Sequence, residues 1–338
     1  MGSKWDIFTF TTTLLLLLQM ITFVGAKQIG VCYGLNGDNL PSPTDVINLY
    51  KQSGIGFLRI YEPYPEVLDA LRASALLVAV GPRNEEIPSL SQSLDAANEW
   101  VKANIAPYAD TVAFRWITIG NEVIPGEYAP YVAQAIENMH NAISSAGFDY
   151  IMVTTVVPSN VLGNSYPPSA GAFSDETRSN MIDIASVLSE TGAPLMLNVY
   201  PYFAYAADPS HISLNYALFN STEAVVIDGQ YKYYNLFDAM VDAVHAALES
   251  VNHGNVKITI AETGWPSDGN PPFSSIENAE TYNKNFYDHV TKQGTPRRPD
   301  DVMEAFFFEM FNEDMKPTEV DKHFGFFYPN MQPVYPFW

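Results

Sequence analysis

The chain has 338 residues, 47% hydrophobic and 13% aromatic, with 17 Lys+Arg against 38 Asp+Glu and a formal net charge of −21. That much apolar material excludes a disordered acidic tail, and the charge argues against nucleic acid, anionic membrane surfaces and acidic polysaccharides as partners. A single cysteine, Cys32, excludes an intrachain disulfide and any thiolate-cluster metal site, so a globular protein with a neutral or cationic partner remains.

Residues 1–26 read as a secretory signal peptide. Lys4 supplies the positive start, Ile7 to Val24 is an apolar stretch, and Val24-Gly25-Ala26 offers the small residues of a cleavage site. The alternative, an uncleaved anchor helix, sits poorly with the Thr and Gln residues in that run. Their removal takes Lys4 and Asp6 together and leaves the net charge unchanged. The expected location is extracellular, and Asn220-Ser221-Thr222 is the one glycosylation sequon.

From residue 27 onward, short apolar runs alternate with amphipathic segments, as in parallel βα units. Strands are predicted at 29–33, 57–61, 76–80, 112–119, 151–155, 194–199, 256–261 and 305–311. Most are β-branched or aromatic with little alternation, as expected of strands covered on both faces. Ser42-Pro43-Thr44-Asp45 is a capping box opening a helix that Gly54 stops. Val132, Ile136, Met139 and Ile143 share one helical face, and Phe237, Met240, Val244, Leu248 and Val251 share another. Eight strands in one α/β domain predict a single (β/α)8 TIM barrel with enlarged βα loops, the longest at 158–177 and 200–230, forming an open cleft. A doubly wound sheet would show a phosphate-binding glycine loop after its first strand, and Cys32-Tyr33-Gly34-Leu35-Asn36-Gly37 opens no helix.

On a barrel, polar residues just after strands carry the chemistry. Glu122 ends the run through Ile119-Gly120-Asn121, and Glu262 ends the run through Ile260-Ala261, so the fourth and seventh strands deliver two carboxylates to one mouth. A helix cap or a surface charge is the plain alternative for either. Together they match what glycoside hydrolysis requires: one protonated acid and one ionised nucleophile or base, kept distinct by their mutual charge. Asn121 is suited to a sugar hydroxyl, and Tyr33, Tyr61, Tyr200, Tyr202, Phe203 and Trp265 offer flat apolar faces with polar rims. Each of the six could equally be core. The six histidines show no paired ligand spacing, so no metal and no cofactor is expected.

Glu262-Thr263-Gly264-Trp265-Pro266-Ser267 resembles the signature of glycoside hydrolase family 17, the plant β-1,3-glucanases. The resemblance covers nearly all of 27–338 and includes Gly30-Val31-Cys32-Tyr33-Gly34, Gly120-Asn121-Glu122-Val123, Asn198-Val199-Tyr200-Pro201-Tyr202-Phe203, Met310-Phe311-Asn312-Glu313 and Phe327-Tyr328-Pro329-Asn330. It implies a retaining endo-hydrolase of neutral β-1,3-glucan in the apoplast or cell wall, with Glu122 as acid/base, Glu262 as nucleophile, and Glu313 with Lys316 as a supporting pair; oligomeric state is open, with a monomer as the default expectation. Asn198 falls within a shared motif and is assigned to substrate binding. Fungal wall glucan or callose would be the substrate, with roles in plant defence or wall remodelling. The alternatives are a β-1,3-1,4-glucanase and a non-catalytic glucan-binding wall protein. Two loops depart from the family pattern: Tyr61-Glu62-Pro63 stands where Asp-Pro is usual, and Gly81-Pro82-Arg83-Asn84-Glu85-Glu86 where a short Val-Pro-Asn stretch is usual. Substrate preference is more open there than the reaction. The negative field should raise carboxylate pKa values and favour an acidic optimum.

Overall fold

A computed structural model describes residues 29–338, so the expected signal peptide and its cleavage site lie outside the described residues. Eight parallel strands close into one barrel, each pairing with its neighbours in chain order and the last with the first. They are β1 (Ile29–Cys32), β2 (Phe57–Arg59), β3 (Leu77–Val80), β4 (Ala113–Asn121), β5 (Met152–Pro158), β6 (Leu195–Asn198), β7 (Ile258–Thr263) and β8 (Ala305–Phe307). All eight sit where the apolar runs predicted. The last is shorter than the run from 305 to 311, because the chain beyond Phe307 turns in over the mouth, where Phe311 bridges to Phe327.

One buried residue from every strand joins a cluster that fills the barrel interior around Trp116: Cys32, Phe57, Ala79, Trp116, Val156, Met196, Ala261 and Phe306. Large and small side chains alternate unevenly around it, and the indole of Trp116 meets Phe57 and Phe306 edge-on at 5.4 and 5.6 Å. The outer faces of the strands pack on helices. Ser42 caps the first of these, Pro43–Gln52, by accepting from the Asp45 amide. Val132, Ile136, Met139 and Ile143 are buried on Val132–Ser145, as their spacing predicts. Leu236–Ser250 buries Phe237, Val244 and Leu248, but Met240 instead reaches the mouth of the barrel. No α-helix follows β8 among the described residues; the C-terminal aromatics replace it, with Phe326 and Phe337 at 5.2 and 5.5 Å from Phe307.

The two long loops carry structure of their own. The first forms a small hairpin, Leu162–Asn164 with Ala172–Phe173. The second holds the helices Pro201–Ala207 and Leu214–Ala217 and part of a second hairpin, Val226–Asp228 with Tyr231–Tyr233. No helix of the described residues is long and apolar enough to cross a membrane.

If the Trp116 layer is the packing centre of the barrel, Trp116→Ala should destabilise the fold by about 3–5 kcal/mol. Urea unfolding reads this as a lowered midpoint at an unchanged slope.

Candidate active site

Both carboxylates leave strands that are locally irregular. Between Thr118 and Asn121, β4 carries one more residue than its partner β5, and between Ile260 and Glu262, β7 carries one more than β6. A bulge bends a strand and re-aims its side chains. Here it lets Ala261 fill the barrel while the next residue, Glu262, faces the mouth. Glu122 follows Gly120 (φ 86°) and itself adopts φ 56°. That left-handed conformation costs a non-glycine residue about 1–3 kcal/mol, and such strain gathers at functional positions. The Glu122 amide is held there by Val156 O at 3.0 Å.

Glu262 is buried, and three donors converge on it. Arg59 Nη1 donates to Oε1 at 2.6 Å, the Tyr61 hydroxyl donates to the same oxygen at 2.8 Å, and the Tyr200 hydroxyl donates to Oε2 at 2.8 Å. Arg59 is 1% exposed and is the residue that joins the site together: its Nη2 donates to Asn121 Oδ1 at 2.8 Å, and its Nη1 also reaches Ala261 O at 3.2 Å. Asn198 Nδ2 in turn donates to Glu122 Oε1 at 2.8 Å. Burial pushes the Glu122 carboxyl above its ordinary pKa and the charge of Glu262 adds to this, while the Asn198 bond and Arg59 oppose it. The two carboxylates therefore live in different surroundings: one crowded by donors, the other partly desolvated beside a like charge. Unequal surroundings of this kind are what a pair of carboxylates with separate roles requires.

Beside them, Lys316 Nζ lies 3.0 Å from Glu313 Oε2 and 3.4 Å from Glu309 Oε2, over the Phe308 ring at 4.7 Å. All three charged groups are buried or nearly so, which makes this an internal cluster and not a surface pair. Burial, then the neighbouring Glu313 charge, raises the Glu309 pKa well above the usual carboxylate range. Gly34 packs against the cluster; a Cβ there would stand 2.4 Å from Glu313 Oε1 and 2.8 Å from Glu309 Oε2.

Glu122, Asn198, Tyr200, Phe203, Glu262 and Lys316 line one cavity of about 570 Å³, with Phe308 and Phe324 also in its wall. Phe203 is 45% exposed, and Tyr200 meets Phe203, Phe308 and Phe324 edge-on at 5.4, 6.2 and 5.8 Å. A second lobe of about 380 Å³ is lined by Arg59 and Tyr61, which bond Glu262, and by Asn121, which precedes Glu122. Three expected groove residues are instead buried. Tyr33 packs edge-on to Phe311 at 6.4 Å, Tyr202 packs on Trp265 at 5.2 Å with its hydroxyl held by Asn270, and Trp265 Nε1 donates to Phe273 O at 3.0 Å. They support the wall from behind: Tyr202 lies 5.1 Å from Phe203. Asn220 is exposed, away from the groove, its Oδ1 accepting from Asn285 Nδ2 at 2.9 Å. Among the described residues, no group of three or more His, Cys, Asp or Glu is arranged to hold a metal ion.

Arg59 and Glu309 were not singled out in the sequence. Each is an ionisable residue inside an apolar run, Phe57-Leu58-Arg59-Ile60 and Phe306-Phe307-Phe308-Glu309-Met310-Phe311, and a charge that expensive to bury is itself the signal. Asn84 is a third: it accepts from the Asn121 amide at 3.0 Å and donates to Asn121 O at 3.2 Å.

The profile of glycosyl hydrolases family 17 matches residues 29–337. The chain belongs to this family. It is 48% identical over 335 residues to a glucan endo-1,3-beta-glucosidase of Vitis vinifera, covering 96% of both chains. It is 46% identical to a putative glucan endo-1,3-beta-glucosidase of Hordeum vulgare, with 92% of this chain and 97% of the other covered. Among solved structures, one of two plant beta-glucan endohydrolases with distinct substrate specificities superposes with a TM-score of 0.88 at 42% identity, covering 91% of this chain and 99% of the other. A beta-1,3-glucanase and allergen of Cryptomeria japonica pollen gives 0.88 at 46% identity, with 91% and 98% covered. The chain is thus a glycoside hydrolase, and the groove that holds Glu122 and Glu262 is its candidate active site.

Arg59→Lys should keep the barrel folded by circular dichroism yet lower kcat by about 10²-fold, the scale of losing one positioned donor at a reacting centre. An ammonium is a point charge and does not span Glu262 and Asn121 as the planar fork does.

Proposed function

We propose that the enzyme hydrolyses internal β-1,3-glucosidic bonds of neutral β-glucan by double displacement with retention. The observation that carries this reading is the unequal pair of carboxylates: Glu262 under three donors and Glu122 with a raised pKa. Glu262 attacks the anomeric carbon as the anion. Glu122, protonated, gives its proton to the departing glycosidic oxygen, and as the carboxylate it then takes a proton from the water that releases the glycosyl group. Asn121, whose Oδ1 is occupied by Arg59, presents its amide N–H groups to the sugar 2-hydroxyl, a contact that tightens as the anomeric centre becomes cationic. Lys316, held by Glu313, adds a positive field at the groove floor. Tyr61, Tyr200 and Phe203 supply the apolar faces on which neutral rings rest. The names of the relatives support β-1,3 linkages over the mixed-linkage alternative.

Secretion is part of the proposal, with cleavage after Ala26 and glycosylation of Asn220. Callose and fungal wall glucan are the natural substrates under this reading, in defence or wall remodelling. A neutral polymer is indifferent to a net charge of −21, so the acidity costs nothing in substrate capture.

Proton NMR of laminarin hydrolysis should show the β-anomer as first product; an α-anomer would overturn retention. The pH dependence has a fixed sign. Activity needs Glu122 protonated, so it falls as pH rises through the Glu122 pKa, at a pH above that of an ordinary glutamate. Asn198→Ala removes a bond that favours the ionised form, so the basic limb of kcat/KM should move to higher pH while the maximum falls.

A further inference from the structure

The lobe on the Asn121 side differs in character from the aromatic lobe. Its outer wall is an ion pair between Glu62, after β2, and Arg83, after β3. The pair is built in from several directions. The Tyr64 hydroxyl donates to Glu62 Oε1 at 2.7 Å, while Arg83 Nε donates to Glu62 Oε2. The Arg83 amide donates to Glu86 Oε2 at 2.7 Å, which fixes the start of the turn Asn84–Glu86. Asn84, the next residue, is locked to the Asn121 backbone in both directions. The guanidinium therefore stands at a fixed place relative to the residue that precedes Glu122. Of its five N–H donors, Glu62 takes the one on Nε; no hydrogen bond of Nη1 or Nη2 is formed among the described residues, and the side chain is 59% exposed.

An ion pair this exposed contributes little to stability, so fold maintenance does not account for it. A lobe of about 380 Å³ is within the size range of small-molecule sites. A planar fork with two free amino groups suits two hydroxyl oxygens on one side of a sugar ring, and a 1,3-linked glucosyl unit keeps its 4- and 6-hydroxyls free and close together. We infer that the Glu62–Arg83 pair is a specificity determinant of the enzyme, with the free Arg83 donors binding hydroxyls of a glucosyl unit beyond the one that Asn121 contacts. The pair thereby sets the length of chain needed for full activity and the position along it where the cut falls. Glu62 and Tyr64 hold the fork in advance, so little entropy is lost when the sugar arrives. Binding at a unit remote from the reacting bond is expressed in the rate on long substrates and is absent from short ones. This inference rests on the β-1,3-glucan reading above.

The test compares wild type, Arg83→Ala and Arg83→Lys on β-1,3-linked gluco-oligosaccharides of three to six units, end-labelled so that each cleaved bond is identified. Thermal midpoints of all three proteins serve as the folding control. Arg83→Ala should lose about 10-fold in kcat/KM on the longest substrate, the scale of a hydrogen bond to a charged donor, and less than about 2-fold on the shortest. Its cleavage pattern should shift by one unit, and Arg83→Lys should recover only part of the loss. An unchanged length dependence and cleavage pattern would overturn the inference. So would an equal loss at every length, which is the signature of a loosened Asn121 backbone. A wild type that cleaves none of these substrates sinks the glucan reading and this inference with it.

Discussion

The mouth of this barrel is organised around one buried cation. Arg59 lies at the end of β2 with 1% of its surface exposed, and a guanidinium taken out of water must recover its hydration from protein groups. It does so through Glu262 on β7, Asn121 on β4 and the carbonyl of Ala261, with the Tyr61 ring 4.5 Å from its centre. Three strands far apart in sequence are thereby fixed to one another at the floor of the groove. Cys32 sits 4.0 Å from the same group, and burial pushes its thiol up to about 12, so it is a neutral neighbour and no rival nucleophile.

Around that cation, the structure breaks local rules in a consistent direction. Glu122 occupies a left-handed backbone position, β4 and β7 each carry an extra residue just before their glutamates, and Glu309 is buried with a raised pKa next to Glu313. Each departure costs free energy that the barrel layer and its helices supply. What each secures is the placement of a carboxylate in chosen surroundings. The two carboxylates differ because Glu262 is bonded by Arg59 and two phenols, while Glu122 accepts from the Asn198 amide, feels Arg59 only as a nearby charge, and lies close to a negative one.

The barrel was legible because its strands are continuous apolar runs and its helices keep a strict spacing, both dictated by burial on two faces. Glu122 and Glu262 stood out as isolated charges at the ends of such runs, and the family motifs singled out Glu313 and Lys316. Aromatic residues were harder. Tyr33, Tyr202 and Trp265 share motifs with groove residues but point into the packing, and a phenol or indole has the same composition whether it faces a sugar or a core. Met240 erred the other way, counted on a buried face yet lining the groove. The partners of Arg59 were illegible for a different reason: its contacts lie 62 and 203 residues away in the chain, and only closure of the barrel brings them together.

The central claim is that the carboxylate under Arg59, Tyr61 and Tyr200 is the nucleophile of a double displacement. It is tested most directly by trapping the glycosyl-enzyme with a 2-deoxy-2-fluoro β-1,3-glucosyl fluoride, followed by peptide mass mapping. A single glycosyl adduct on Glu262 is the predicted result. An adduct on Glu122, Glu309 or Glu313 would contradict it, as would the absence of any adduct from an enzyme that is active on laminarin.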